Sequence, residues 1–244
     1  MPRLSLGLGV QTIRKAGGGV AIPQSGLSLW LKADAGVTTS GSNVTAWADQ
    51  SGNSKNATAI ESPVYATNSI NAKPALVFAR NAYLTTANIF NGANPRSMFV
   101  VYYTDSEEDF SNSVIGQSNE NNANIGTYFM LQSRSDFLNS NPYLSGFGDD
   151  LSGPPFVNQQ LLLGMADYDG TTARLFKNGT QENSEAKSYN THNGAFIIGA
   201  FNYAGTILER FSGKIAEIVV YSRVLTTPER QQVEAYLNTK YAIY

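Results

Sequence analysis

The sequence predicts an all-β protein: a jelly-roll β-sandwich of two antiparallel sheets with one C-terminal helix and an extended N-terminal arm. Three observations support this fold class. Short apolar runs alternate with turns rich in glycine and asparagine, which is typical of sandwich strands. Hydrophobic residues make up 42% and aromatic residues 11% of the 244-residue chain, enough for a sizeable core. Helix start signals stand out in one segment near the C-terminus.

Eight segments have the composition of strands, because they are rich in valine, isoleucine, tyrosine and phenylalanine. Several of them are apolar without interruption, which is expected of strands covered on both faces. The predicted strands span residues 27–32, 75–78, 97–103, 127–132, 160–168, 172–177, 195–200 and 213–221.

Two dipeptides predict tight hairpin turns on either side of the predicted strand 172–177. Asp169-Gly170 precedes this strand and Asn178-Gly179 follows it. Asp, Asn and Gly tolerate the positive φ that such turns require. The three predicted strands around these turns are therefore expected to pair as a meander.

One segment carries the signals of a helix. Thr226 can act as the N-cap, Pro228 lies in the first turn, and Glu229 completes a T-x-x-E capping box. Apolar residues then recur at helical spacing, and we expect them to lie on the sandwich. They are Val233, Tyr236, Leu237 and Tyr241.

Residues 1–24 are predicted to form an attachment arm, and residues 25–244 a single domain. Apolar residues alternate with serine and glycine at the start of the arm, and a glycine triplet at 17–19 provides a flexible joint. The arm is basic, since the first acidic residue of the chain is Asp34. A disordered terminus is the alternative. The predicted assembly residues are Arg3, Leu4, Leu6, Leu8, Val10, Ile13, Arg14 and Lys15.

Composition argues against several classes of partner. Charged residues make up only 15% of the chain and the net charge is −2, so no basic field favours nucleic acid or a membrane surface. The sequence contains no cysteine, which excludes thiol chemistry and disulfides. No stretch approaches the roughly 18 apolar residues of a membrane-spanning helix.

Four sequence motifs carry a family resemblance. They are LWLKADAG at 29–36, WADQSGN at 47–53, YDGTTARLFKNG at 168–179 and FSGKIAEIVVY at 211–221. In this order and spacing they resemble the concanavalin A-like, laminin-G-like jelly-roll superfamily over roughly residues 25–244. The resemblance implies the fold, whereas the function stays open among lectins, adhesins, glycanases and structural modules.

The sequence predicts no enzymatic site. Glycanases of the resembled superfamily carry an E-x-D-x-x-E pattern on one strand, and no segment matches it. The neighbouring carboxylates of Glu107-Glu108 and of Asp149-Asp150 would point to opposite faces of a strand. His192, the only histidine, lies in a predicted turn. We therefore expect these acidic residues and this histidine to be non-catalytic.

No cofactor is predicted. The turn at residues 49–53, Asp-Gln-Ser-Gly-Asn, has oxygens that could suggest a calcium loop, but the EF-hand pattern is absent. Its Asp and Asn side chains can instead accept hydrogen bonds from the local backbone. The structural interpretation is favoured, and calcium is an unsupported alternative.

Glycan binding requires an exposed aromatic ring beside amide or hydroxyl groups. Tyr203 beside Asn202 is one candidate. Trp30 and Trp47 lie inside the family motifs and are expected in the core. The predicted glycan-binding residues are Asn119, Asn121, Asn122, Asn139, Asn141 and Tyr143.

These observations lead to the prediction of a non-catalytic surface protein of a bacteriophage virion, either a capsid decoration protein or a tail or fibre component. The arm would bind other virion proteins, and the domain would face outward and bind host polysaccharide. We expect a homo-oligomer. We also expect assembly in the host cytoplasm, because no signal peptide is recognised. The alternative is a carbohydrate-binding lectin or adhesin, and a glycoside hydrolase is the third hypothesis.

Overall fold

The computed structural model describes residues 21–105, 112–118, 124–135, 139–191 and 194–244. Residues 1–20, which include all the predicted assembly residues of the arm, lie outside this description, and their role stays a prediction. The described strands are β1 Leu27–Lys32, β2 Val37–Ser40, β3 Asn43–Trp47, β4 Ala57–Glu61, β5 Val64–Ile70, β6 Lys73–Ala79, β7 Tyr83–Thr86, β8 Arg96–Thr104, β9 Asn112–Gln117, β10 Phe129–Ser135, β11 Asn139–Ser145, β12 Leu151–Ser152, β13 Phe156–Val157, β14 Leu161–Tyr168, β15 Thr172–Lys177, β16 Thr180–Ala186, β17 Phe196–Ile198, β18 Phe201–Tyr203, β19 Thr206–Leu208 and β20 Ser212–Tyr221. Helix α1 spans Thr227–Tyr241.

The all-β prediction with a C-terminal helix is confirmed, and each of the eight predicted strands corresponds to an observed strand. In the first layer, β20 pairs with β8 on one side and with β1 and β6 on the other, and β14, β15 and β16 follow β8. The second layer runs β4, β7, β17, β9, β10 and β11, with β12 and β13 at its edge. All these pairings are antiparallel.

The prediction of two separate sheets needs a correction, because 18 of the described strands form one hydrogen-bonded sheet. The layers join through β3, which pairs with β4 of the second layer and, at Asn43 and Val64, with β5 beside β6 of the first. Strand β3 thereby continues the backbone hydrogen bonding from one layer into the other. The remaining two strands, β18 and β19, form a separate hairpin.

The main core lies between the two layers. Strand β8 is buried on both faces because its side chains alternate: Met98, Val100 and Tyr102 belong to the core between the layers. Phe99 and Val101 belong to a second cluster on the outer side of the first layer. The uninterrupted apolar sequence of this strand is thereby explained.

Helix α1 covers that outer side. Val233, Leu237 and Tyr241 pack into the second cluster, and the Glu229 carboxylate accepts hydrogen bonds from the backbone N–H and hydroxyl of Thr226 (2.9 and 2.8 Å). The predicted capping box is present. Across the described residues, no helix is both long and apolar enough to cross a membrane.

The buried carboxylate of Glu217 fastens the helix to the first layer. One oxygen accepts hydrogen bonds from Trp30 Nε1 (2.6 Å) and the Tyr236 hydroxyl (2.9 Å). The other accepts from Lys240 Nζ (2.7 Å) and the Tyr241 hydroxyl (2.9 Å). Trp30 therefore lies partly buried under the helix rather than between the layers.

Trp47 lies in the main core, as predicted. Its side chain is fully buried, and its ring nitrogen donates a hydrogen bond to the Lys32 carbonyl at 2.8 Å.

Candidate functional site

The outer face of the second layer carries a row of polar and aromatic side chains. In the β10–β11 pairing Gln132 lies opposite Tyr143 and Arg134 opposite Asn141. Leu131 belongs to the core between the layers. Because side chains alternate along a strand, the residues that flank it point outward.

A cavity of about 390 Å³ opens on this face, and we call it the aromatic pocket. Strands β10 and β11 supply its floor, the loop at residues 146–150 (the pocket loop) supplies one wall, and the β18–β19 hairpin with the residue after it supplies the other. The lining residues are Gln132, Arg134, Ser145, Phe147, Gly148, Asp150, Phe201, Tyr203, Leu208 and Glu209.

Aromatic rings from both walls of the pocket contact one another. Phe147 and Tyr203 have ring centroids 5.7 Å apart, and Phe201 and Tyr203 have ring centroids 6.2 Å apart. Tyr128 contacts Phe147 edge-to-face at 5.1 Å and Phe201 at 5.0 Å. Tyr203 remains 39% exposed and Leu208 43% exposed. The pocket therefore offers apolar surface that a ligand can cover.

The buried end of this aromatic group carries the hydroxyl of Tyr128. Burial, together with the nearby Tyr203, raises the pKa of Tyr128 to about 12. Its hydroxyl has no hydrogen-bond partner among the described residues. Tyr128 is therefore a neutral support for the rings above it.

Two carboxylates face the same pocket from different segments. Glu209 Oε2 accepts hydrogen bonds from Gln132 Nε2 (2.5 Å) and Ser113 Oγ (3.1 Å). Asp150 Oδ1 accepts from the Gly146 N–H (2.9 Å) and from Ser145 Oγ (3.2 Å). These bonds hold both groups in place.

Arg134 lies over the ring of Tyr143, with 3.8 Å between the guanidinium carbon and the ring centroid. Its Nε donates to Gln132 Oε1 at 3.3 Å. Burial raises the pKa of the Tyr143 hydroxyl, and its hydrogen bond to Asp150 raises it further, whereas the charge of Arg134 acts in the opposite direction. Tyr143 thus lies beside both the arginine and the Asp150 carboxylate.

Two lining residues have a backbone conformation that is unfavourable for large side chains. Phe147 has φ 58° and Glu209 has φ 48°, in the left-handed region that non-glycine residues rarely adopt. Such strain costs on the order of 1 kcal/mol or more and concentrates at binding and active sites. Among the described residues, eight other non-glycine residues also have positive φ, so this conformation agrees with a functional site but does not by itself identify one.

Lys187, which does not line the pocket, holds the pocket loop in place. Its Nζ donates to the Asp150 carbonyl at 2.6 Å and lies 3.4 Å from Asp149 Oδ1 and 3.0 Å from Glu185 Oε2. The other Asp149 oxygen accepts the Ser188 N–H at 2.8 Å. Asp149 is therefore a structural residue of the loop.

The structure places some predicted glycan-binding residues on this face and does not describe others. Tyr143 and Asn141 lie on β11 beside the pocket, and Tyr203 lines it. Asn139 pairs with Val157 through its backbone, and its side chain lies outside the described residues, as do Asn119, Asn121 and Asn122. The glycan role of these residues stays a prediction.

Sequence reasoning missed Gln132, Arg134, Phe147 and Glu209. The outward positions of β10 could have been inferred from the two-residue alternation of its polar side chains. By contrast, nothing local connects Glu209 with Asp150, because they meet only through the packing of the β18–β19 hairpin. Glu107, Glu108 and His192 lie outside the described residues.

The turn at residues 49–53 is occupied by internal hydrogen bonds. Asp49 Oδ1 accepts the Trp30 and Ser51 N–H groups (3.0 and 2.9 Å), and Oδ2 accepts Ser51 Oγ and the Lys55 N–H (2.7 and 3.1 Å). Asn53 Nδ2 donates to the Leu27 carbonyl at 2.8 Å. These residues do not fit a calcium loop, and the described part of the chain contains no group of three or more His, Cys, Asp or Glu residues that could hold a metal.

Residues 78–229 match the family described as the concanavalin A-like lectin/glucanases superfamily. This match covers more than half of the chain and agrees with the family predicted from the sequence motifs. A search of the curated proteins finds no match.

Three solved structures illustrate the fold similarity. Domain 4 of AbnA, a GH43 extracellular arabinanase from Geobacillus stearothermophilus, in complex with arabinotriose, has a TM-score of 0.63 and 15% identity, over 86% of this chain and 97% of that domain. A mutant GH54 α-L-arabinofuranosidase has a TM-score of 0.66 and 12% identity over 83% of this chain. Trypanosoma rangeli sialidase in complex with sialic acid has a TM-score of 0.60 and 14% identity over 90% of this chain.

This chain spans 52% of the arabinofuranosidase chain and 34% of the sialidase chain. At these identities the similarity establishes the fold. It also corrects two predictions, because the similar structures are carbohydrate-active proteins. The predicted bacteriophage virion protein is contradicted, and so is the prediction that the chain is not an enzyme. The virion location and the virion partners were inferred from that function and were not tested.

Proposed function

Because the chain belongs to the concanavalin A-like lectin/glucanase superfamily, we propose that it is a carbohydrate-binding domain and that the aromatic pocket is its glycan site. The observation that carries this proposal is the combination, in one cavity, of exposed rings with fixed carboxylate, amide and guanidinium groups. Sugars present apolar C–H faces and hydroxyl groups, so they need both kinds of surface.

Two further observations support this proposal. The strained backbone of Phe147 and Glu209 lies on the pocket walls, where strain often accompanies function. In addition, the structurally similar arabinanase domain was solved in complex with arabinotriose. A shallow pocket of this kind should bind one or two sugar residues with a dissociation constant on the order of 0.1–1 mM.

Calorimetric titration of the full chain with a panel of oligosaccharides, arabinotriose included, tests the site. Tyr203→Ala should weaken binding about five- to tenfold, because the exposed ring no longer covers the sugar. The melting temperature should change little, since Tyr203 is 39% exposed.

Tyr244→Ala is the matched control, because Tyr244 is 55% exposed and does not line the pocket. Its affinity should equal that of the unmodified chain. Equal binding by both variants would exclude the aromatic pocket, and an absence of binding to any glycan in the panel would reject the proposed function.

Glycoside hydrolysis is the second candidate function, and the two carboxylates of the pocket favour it. Glycosidases need a pair of Asp or Glu residues that flank the bond to be cleaved, and Asp150 and Glu209 line one cavity. Release of reducing ends from the glycans that bind would support hydrolysis if Asp150→Asn or Glu209→Gln abolished it. Binding without product release would reject hydrolysis and support binding as the function.

A further inference from the structure

The charges of the aromatic pocket discriminate between two classes of sugar. The similar structures include an arabinanase domain in complex with arabinotriose, a neutral ligand, and a sialidase in complex with sialic acid, an anionic one. Fold similarity therefore leaves the class of ligand open. The charges of the side chains that line this pocket indicate which class of sugar it binds.

Acidic groups outnumber basic groups in the pocket. Asp150 and Glu209 are both lining residues, and Arg134 is the single cation among them. The lining therefore carries a formal charge of −1, from two carboxylates and one guanidinium. A sugar carboxylate bound there would be a third negative charge in a partly enclosed site, where like charges repel strongly.

The single cation is already engaged on the protein. Its guanidinium lies 3.8 Å from the centroid of the Tyr143 ring, and its Nε donates to Gln132 Oε1. Arg134 is thus held by a ring and an amide of the protein, and its one positive charge does not outweigh the two carboxylates of the lining.

The acceptors of the pocket suit hydroxyl donors. Ionised carboxylates accept hydrogen bonds only, and charge-assisted bonds to them are stronger than neutral ones. Asp150 is placed by Ser145 and Gly146, and Glu209 is placed by Gln132 and Ser113. Both are therefore positioned to accept hydrogen bonds from sugar hydroxyl groups beside the aromatic rings.

We infer that the aromatic pocket takes neutral sugar residues through their hydroxyl groups and discriminates against sugars that carry a carboxylate. This inference rests on the proposed function and names the ligand class of the same site. The discrimination comes from the repulsion by Asp150 and Glu209, so it should weaken when their charges are removed.

The test compares neutral and acidic glycans on the full chain. Calorimetry is carried out with arabinan, xylan, galactan and mannan oligosaccharides, and in parallel with oligogalacturonate, alginate oligosaccharides and sialyllactose. Neutral ligands should bind at least about tenfold more tightly than acidic ones at low salt, where charge repulsion is least screened.

The double variant Asp150→Asn, Glu209→Gln should bind the neutral ligand about tenfold more weakly and reduce the difference between the two classes. Asp34→Asn is the control, because it removes a carboxylate that does not line the pocket. Circular dichroism verifies that each variant is folded.

The outcomes separate this inference from the proposed function. Preferential binding of an acidic glycan, abolished by Arg134→Gln and preserved in the double variant, would overturn the neutral-sugar class while leaving the glycan function intact. An absence of binding to every ligand would overturn both. If the double variant bound neutral glycans with the affinity of the unmodified chain, the inference would also be overturned.

Discussion

Asp169 and Glu229 show how single carboxylates stabilise turns and caps of this fold. Burial acts against the charge of Asp169, but hydrogen bonds from the Thr172 N–H and from Arg174 prevail and lower its pKa to about 2. Hydrogen bonds from Arg223 and then from Thr226 lower the pKa of Glu229 to about 2. In both residues the folded state favours the ionised form.

The resulting pH dependence has a definite sign. Unfolded Asp and Glu have pKa values of about 3.9 and 4.3, so the stabilisation is present above about pH 4 and is lost as the pH falls towards 2. Urea unfolding between pH 2 and 6 should show this loss, and Asp169→Asn or Glu229→Gln should reduce its slope. Burial raises the pKa of Asp167, so this residue changes the stability with pH in the direction opposite to Asp169 and Glu229. An unchanged slope in both variants would contradict the assignment to Asp169 and Glu229.

At the scale of elements, the pocket loop depends on a lysine outside the pocket. Lys187 binds the Asp150 carbonyl and lies close to the Asp149 carboxylate. The loop carries Phe147 in a strained conformation, and such a conformation persists only when surrounding contacts enforce it. Lys187 is therefore a positioning residue for the pocket.

Lys187→Met should weaken glycan binding about tenfold, because the loop relaxes and moves Phe147 and Asp150. The loss of stability should be only about 1 kcal/mol, since its acidic partners are partly exposed. Lys187→Arg should restore much of the binding. Lys177→Met is the control, because Lys177 pairs with Glu182 at 3.4 Å and does not line the pocket. Equal binding by the Met variants at both positions would contradict this role.

At the scale of the whole molecule, the first residues that the structure describes, from residue 21, pack on the sandwich. Ile22 is 3% exposed and belongs to the cluster beneath helix α1. The Pro23 carbonyl accepts a hydrogen bond from the Tyr221 hydroxyl at 3.0 Å, and the Ala21 carbonyl accepts one from Gln232. The last residues of the predicted arm therefore pack on the sandwich.

Two truncations should separate the arm from the domain. A chain that starts at residue 21 should keep the melting temperature and the glycan affinity of the full chain, because it retains every described member of both core clusters. A chain that starts at residue 27 lacks Ile22, and its free energy of unfolding should be about 2–4 kcal/mol lower. Thermal and urea unfolding provide the measurement. A large loss of stability in the longer fragment would show that residues 1–20 belong to the domain.

The sequence by itself determined the features that depend on short-range interactions. The strands 27–32 and 172–177 were predicted with their observed ends, because turn residues delimit them. The capping box of Thr226 and Glu229 and the buried position of Trp47 were likewise readable from neighbouring residues and motifs. The family was also recognisable, since its motifs keep their order along the chain.

Only the tertiary structure decided how the layers join and where the pocket lies. Register and pairing choose which side of β10 faces outward, and a shift by one residue would have turned Gln132 and Arg134 into the core. Asp150 and Glu209 share a cavity because the β18–β19 hairpin packs beside the pocket loop. Such long-range contacts depend on the packing of the whole fold, so no local pattern in the sequence predicts them.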